Sequence, residues 1–223
     1  EIMENLQKIL KKSSLFAGID DADILPMIKC LGARKKSCPK DSFIFYAGDT
    51  LKAVGIVLSG TVHVLQEDYW GNRNILAIVP ASGIFGEAYA CVPGIPSNVS
   101  IYVKSTAEIL FIDVEKILRV CPHTCSFHER LAANLLVVVA GKNILLTRKI
   151  QYLSQRTTRQ KLMAFLSDEA QHRGKSSFTI EFNRQQLADF LSVDRSAMSS
   201  ELGRMKEDGL IDFERNDFVL KNL

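Results

Sequence analysis

Arg195, Ser196, Ser199, Ser200 and Arg204 recur at helical spacing within DRSAMSSELGRMKEDG, and they are residue types that recognise nucleic acid. A guanidinium fork reads the guanine edge in a major groove, and hydroxyls bond bases or phosphates. Met198, Leu202 and Met205 fall on the opposite stripe, so burying them leaves the polar set facing solvent. Asp194 is placed to cap this helix and Gly209 to end it. Upstream, Asn183 and Gln186 have capping-box spacing for a shorter helix whose Leu187, Ala188 and Leu191 face the second. Gln185, on the outer side of its first turn, joins the candidate contacts. Ser192 and Val193 make the turn between the helices. The same pattern also fits a helical hairpin of a larger core with a solvated polar face. The C-terminal residues favour the groove-reading alternative. In LIDFERNDFVLKNL, two alternating apolar runs flank Arg215-Asn216-Asp217, which predicts a β-hairpin and therefore a winged helix-turn-helix.

Other chemistry-bearing residues are more ambiguous. Cys121, His123, Cys125 and His128 crowd one helix start and could bind zinc, iron or a haem edge. The competing reading is the stronger one, since cysteine is a common core residue and this spacing forms no zinc-ribbon knuckle. His63 stands alone in a strand pattern, without the partners a metal site needs. No serine, histidine and acid arrangement presents itself, and Gly83 and Gly86 read as turns, so an enzyme is poorly supported.

The elements that position these residues follow from the pattern along the chain. A first amphipathic helix is expected over 2–12, carrying Ile2, Leu6, Ile9 and Leu10, and a second after Asp20 or Asp21 with Ile24, Leu25, Ile28 and Leu31. From Ser37 to Asp113 short Val-, Ile-, Phe- and Tyr-rich runs alternate with turn signals at Gly48-Asp49, Ser59-Gly60 and Gly71-Asn72, predicting an antiparallel β-roll of jelly-roll type. Pro122 interrupts before a long helix expected over 126–153. Its stripe of Leu131, Leu135, Val138 and Leu145 is the expected dimer seam, and Leu136, Val139, Ile144, Leu146 and Ile150 cover another side. A helix buried within one chain is the alternative. Thr157 and Gln160 again have capping-box spacing and open the last part of the chain. The expected fold class is α+β, with a sensing roll over 1–125, a dimerisation helix and hinge over 126–154, and a winged helix over 155–223.

Composition bounds the function. A 223-residue chain with 47% hydrophobic and 24% charged residues is ordinary for a soluble protein. No continuous apolar run approaches the roughly 20 residues of a bilayer span, and no signal peptide opens the chain. With a net charge of only +3, nucleic-acid binding must rest on a local basic face. Five cysteines without secretion signals suggest reduced thiols in a cytoplasm.

Three segments carry a resemblance: GIFGEAYA at 83–90, RTTRQKL at 156–162 and NRQQLADFLSVDRSAMSSEL at 183–202. Together with the order of roll, long helix and winged helix, they resemble the bacterial Crp/Fnr transcription regulators over the whole chain. The resemblance implies a cyclic-nucleotide-binding-type roll, a homodimer, and effector-controlled binding to a palindromic promoter site in double-stranded DNA, with RNA polymerase a further candidate partner. It also implies an effector pocket around Phe85, Gly86, Glu87, Ala88, Ser97 and Asn98. Cyclic-AMP-binding members supply a glutamate, then an arginine and a serine for the cyclic phosphate. Here Glu87 keeps the first role, but Ser97 and Asn98 occupy the other two positions. A buried phosphate without a cationic partner carries an uncompensated desolvation cost, so cyclic AMP is not the expected effector. The cysteine spacing likewise departs from the iron–sulfur-binding members, because Cys30 and Cys38 lack close neighbours. The effector, a small molecule or a redox signal, and any cofactor are therefore left unassigned, and a vestigial pocket is the alternative. A second class of function stays open, a ligand-binding or enzymatic roll whose C-terminal domain serves protein contacts. Salt-dependent binding to a palindromic duplex separates the two.

Overall fold

The computed structural model describes residues 2–67, 69–70, 73–118 and 126–221. Cys121, His123, Cys125, Pro122 and the Gly71-Asn72 turn signal lie outside the described residues. The chain divides into two compact units, Glu1–Gly141 and Lys142–Leu223.

The first unit opens with helices α1 (Ile2–Lys11) and α2 (Asp21–Cys30). Strands β1 (Arg34–Cys38), β2 (Phe43–Phe45), β3 (Ala53–Glu67), β4 (Arg73–Val79), β5 (Ile84–Phe85) and β6 (Ser100–Asp113) form one antiparallel sheet. Its order is β1-β6-β3-β4, with β2 added to β6 and β5 to β3. Helices α3 (Glu87–Ala90) and α4 (Val114–Leu118) flank β6.

The run AVGIVL has little polar alternation because β3 is buried on both faces there. Val54, Ile56 and Leu58 pack with Leu110 and Ile112 against Leu10, Ile24 and Met27 of the helices. Val57, Val62, Ile101, Val103 and Ile109 fill the interior of the roll. Bulges around Ser59 and Thr61 bend β3 between these layers, at Gly60 with φ +80°. A Cβ at Gly60 would lie 2.4 Å from the Thr106 carbonyl oxygen, so only glycine fits the bend.

Helix α5 (Ser126–Leu153) has the expected extent, about 40 Å. The faces of this helix differ from expectation. Leu131, Leu135 and Val138 are buried in the same cluster as Leu10 and Ile112, so they are core residues of their own roll and are unavailable to a partner. Leu145, the fourth member of the expected seam, is exposed. The Asn134 side-chain amide fastens this stretch by donating to the carbonyls of Leu15 (2.9 Å) and Ala17 (2.8 Å).

The second unit holds the last turns of α5, then α6 (Thr158–Arg173), β7 (Ser177–Thr179), α7 (Arg184–Leu191), α8 (Arg195–Glu207), β8 (Ile211–Glu214) and β9 (Asp217–Leu220). Its three strands are ordered β7-β9-β8. Both expected capping boxes form, Thr157 with Gln160 and Asn183 with Gln186. The unit begins inside α5, at Lys142, ahead of the hinge expected near its end. Tyr152 accounts for this. Its buried ring packs on Phe165 (5.7 Å) and Phe190 (6.1 Å), and its hydroxyl donates to Asp168. Burial, reinforced by that carboxylate, raises the phenol's pKa well above its ordinary value.

Candidate nucleic-acid interface

The two-helix motif is built from buried stripes and capped ends. Leu187, Ala188 and Leu191 of α7 meet Met198, Leu202 and Met205 of α8 in one core cluster. Between the helices Ser192 takes a left-handed conformation, φ +51°, as the turn requires. Lys161 satisfies carbonyls at this turn by donating to Leu191 (3.2 Å) and Ser192 (3.4 Å). Asp194 then caps α8 by accepting from the Ala197 amide at 2.8 Å. Its pKa is lowered first by the Ser196 hydroxyl, which also donates to it, and next by that amide.

With the methionine stripe buried, Arg195, Ser196, Ser199, Ser200 and Arg204 are all exposed. The Arg195 side chain has no hydrogen-bond or ion-pair partner among the described residues and stands free on the leading turn. Ser196 spends its proton on the cap. Gln185 is exposed but donates to Asp189 at 2.8 Å within α7. Arg204 is largely solvated and lies 3.4 Å from Glu201.

Three charge clusters that sequence reasoning missed brace this surface. Arg159 at the start of α6 donates to Glu201 (2.5 Å) and Asp208 (2.6 Å), tying that helix to α8. These two bonds raise its pKa, with Glu201 the larger cause. Asp212 on β8 accepts from Lys206 (2.6 Å) and Lys221 (3.3 Å), joining the end of α8 to the hairpin. Arg184, the first residue of α7, reaches the hairpin tip and donates to the Arg215 carbonyl at 2.5 Å. Capping boxes are local and visible as short spacings. These clusters join residues up to 49 positions apart, and no periodicity marks them.

The expected effector segment is a compact corner of the roll. Phe85 is a core residue, with its ring centroid 6.4 Å from that of Phe45 and 6.2 Å from that of Phe111. A Cβ at Gly55 would lie 2.2 Å from its ring, which is why β3 carries glycine there. Gly86 is left-handed at φ +79°, and Glu87 opens α3 with only 6% of its surface exposed. Ala88 is exposed. Cys91 lies near Glu87, and burial followed by that carboxylate raises its thiol pKa. Ser97 is 2% exposed and uses its hydroxyl locally, donating to the Val99 carbonyl (2.8 Å) and accepting from the Val99 amide (3.2 Å). Its own amide and carbonyl pair with Asp49 and Gly48. Asn98 is exposed and accepts from the Tyr89 hydroxyl. The structure thus joins Tyr89 of α3 to Asn98 in the loop before β6, and the stretch from Gly83 to Ser100 contains no lysine or arginine.

His128 is buried in α5 with Nδ1 lacking a hydrogen-bond partner among the described residues. No group of three or more potential metal ligands occurs among the described residues.

Residues 35–123 match the cyclic nucleotide-binding domain family, and residues 160–223 match the Crp-like helix-turn-helix domain family. The chain belongs to the Crp/Fnr family of transcriptional regulators. A curated relative, electron transport regulator A of Shewanella oneidensis, is 23% identical over 206 residues, covering 90% of this chain and 80% of that protein. Among solved structures, this Crp/Fnr chain resembles the c-di-GMP-responsive regulator CLP of Xanthomonas campestris, at 18% identity and a TM-score of 0.57. That likeness covers 92% of this chain and 100% of the other. A CooA variant from Carboxydothermus hydrogenoformans is 21% identical with a TM-score of 0.56, covering 86% of each chain. At these identities the neighbours share the fold.

Proposed function

We propose that this Crp/Fnr regulator binds a palindromic duplex as a homodimer, reading each half-site with Arg195, Ser196, Ser199 and Ser200. The carrying observation is the capped helix α8, whose apolar stripe is buried while Arg195 projects unpaired from its first turn. That end of such a helix enters the major groove. Arg204 and Gln185 lie farther from the leading edge and serve phosphates. RNA polymerase, met at a promoter, is the second macromolecular partner in this reading, and the chain has no catalytic role of its own.

The dimer seam is the face of α5 opposite the roll core. Val137, Ala140, Ile144 and Thr147 recur at alternating steps of three and four, the spacing of a coiled-coil seam, with Leu136, Asn143 and Ile150 beside them. Leu136, Val137 and Ile144 are 70%, 68% and 55% exposed. By length and composition this helix could also cross a bilayer, contrary to the expectation from apolar runs. The seam reading is preferred because Leu131, Leu135 and Val138 on the same helix pack into the roll, and Tyr152 packs into the winged unit. A cytoplasmic location goes with it.

We infer further that the effector is a ligand other than cyclic AMP, held near Glu87, Tyr89, Ser97 and Asn98. The supporting observation is a buried Ser97 whose hydroxyl is already engaged where a cationic phosphate partner would stand. The test is selection of bound sequences from a random duplex pool by the full chain. Inverted half-sites centred about one helical turn, roughly 34 Å, apart support the reading. Enrichment of single, unpaired sites would overturn the dimeric mode, and no enrichment would overturn sequence-specific binding.

A further inference from the structure

We propose that Arg184 is a positioning residue that sets the β8–β9 wing, and that the wing so held delivers Arg215 to the DNA backbone. This rests on the duplex-binding reading above. Arg184 starts α7, yet its side chain leaves that helix and lies over the hairpin, 5.1 Å from the Phe213 ring centroid and 5.2 Å from that of Phe218. Its Nη2 donates to the Arg215 carbonyl at 2.5 Å. Its Nη1 is buried and finds no acceptor among the described residues. Placing a guanidinium there costs desolvation that an apolar side chain of similar size would avoid. The planar fork does what no apolar chain can, stacking on rings while holding a carbonyl.

The carbonyl it holds belongs to a strained residue. Arg215 has φ +50°, a conformation a non-glycine residue keeps only where its surroundings impose it. Its own side chain is exposed at the turn. The acidic residues nearest on either side in sequence are Glu214 and Asp217, of which Asp217 accepts from the Thr179 hydroxyl. Phosphate repels both carboxylates. A wing free to rock would present carboxylate as readily as guanidinium, whereas a fixed wing offers the cation alone.

The experiment pairs a DNA-free arm with a binding arm on the full chain. In the free protein, Arg184→Met should speed amide exchange at Arg215, Asn216 and Asp217 by about tenfold, the scale expected from losing a charge-assisted hydrogen bond. The melting temperature serves as the folding control, and Arg184→Lys, which keeps the charge without the fork, should fall between Met and parent. In fluorescence anisotropy with a selected duplex, Arg215→Ala should lower the salt slope by about 1 with sequence preference intact. Arg184→Met should give the same decrement, and the double variant no more than either single change. Additive losses would mean that Arg184 meets DNA directly, and parent-like exchange would mean that it does not set the wing; either overturns the proposal. If the parent binds no duplex while Arg184→Met still loosens the wing, the DNA reading fails, and the delivery step with it, whereas the wing-setting role stands.

Discussion

Arg195 and Arg204 sit on one helix, yet their surroundings differ, and the proposed function gives them different work. Arg195 is unpaired on the leading turn, so Arg195→Ala should cost about 1–3 kcal/mol on the selected site and flatten the preference at one base pair per half-site. Arg204 is solvated beside Glu201, and Glu201 is already held by Arg159. Arg204→Ala should therefore weaken all duplexes alike and lower the salt slope by about 1, read by anisotropy across a salt series. Asp212 gives a pH signature. Lys206, then Lys221, hold its carboxyl below the usual 3.8, at about 2. A depressed folded-state pKa contributes stability that is present above the unfolded value and lost as pH falls through the folded one. The wing should therefore hold its stability from neutrality down to pH 3.8 and lose this contribution between 3.8 and about 2. Asp212→Asn should remove that part of the acid dependence in thermal melts. The exposed residues of α8 were legible in sequence, because a methionine stripe at helical spacing leaves only one face for them. The braces at Arg159, Arg184 and Asp212 were not, since pairings across the fold leave no trace in local spacing.

Helix α5 shows where periodicity stops being informative. Apolar residues on several sides required two partners, and the spacing alone did not say which stripe met which. The structure assigns Leu131, Leu135 and Val138 to the roll, leaving the Val137–Ile144 face uncovered within the chain. Two substitutions separate these roles. Leu135→Ala should destabilise the roll by about 2–5 kcal/mol, as a cavity in a packed core does, seen in denaturant melts. Ile144→Glu should leave the melting of the roll unchanged and give monomers in sedimentation, because it places a charge in an apolar seam. A dimer that survives Ile144→Glu would move the seam elsewhere. The helix was readable in extent from its lack of proline, and its ends fell where expected. The unit boundary was not, because it is set by contacts across the fold: Tyr152 packs on Phe165 and Phe190, Lys149 lies over Phe190, and Arg148 pairs with Asp168.

For the whole molecule, a net charge of +3 provides no strong global field, so in the proposed function affinity comes from the face that α8 and the wing present. In the proposed function the roll supplies control, and its corner at Glu87 to Asn98 would set the ligand class. Saturating cyclic AMP should shift neither the melting temperature nor the DNA affinity. A rise of several degrees that disappears in Glu87→Ala would contradict that assignment. The order of roll, helix and winged helix was visible in sequence because each has its own texture: alternation, an unbroken helical run, then capped short helices. The effector was not, because a missing arginine argues against one ligand without naming another. The most direct test of the central claim is the salt dependence of binding to the selected palindrome, beside a single half-site and a scrambled duplex. The palindrome should be bound most tightly by the dimer, with log affinity falling linearly and steeply against log salt. Equal affinity for all three duplexes, or affinity indifferent to salt, would contradict it.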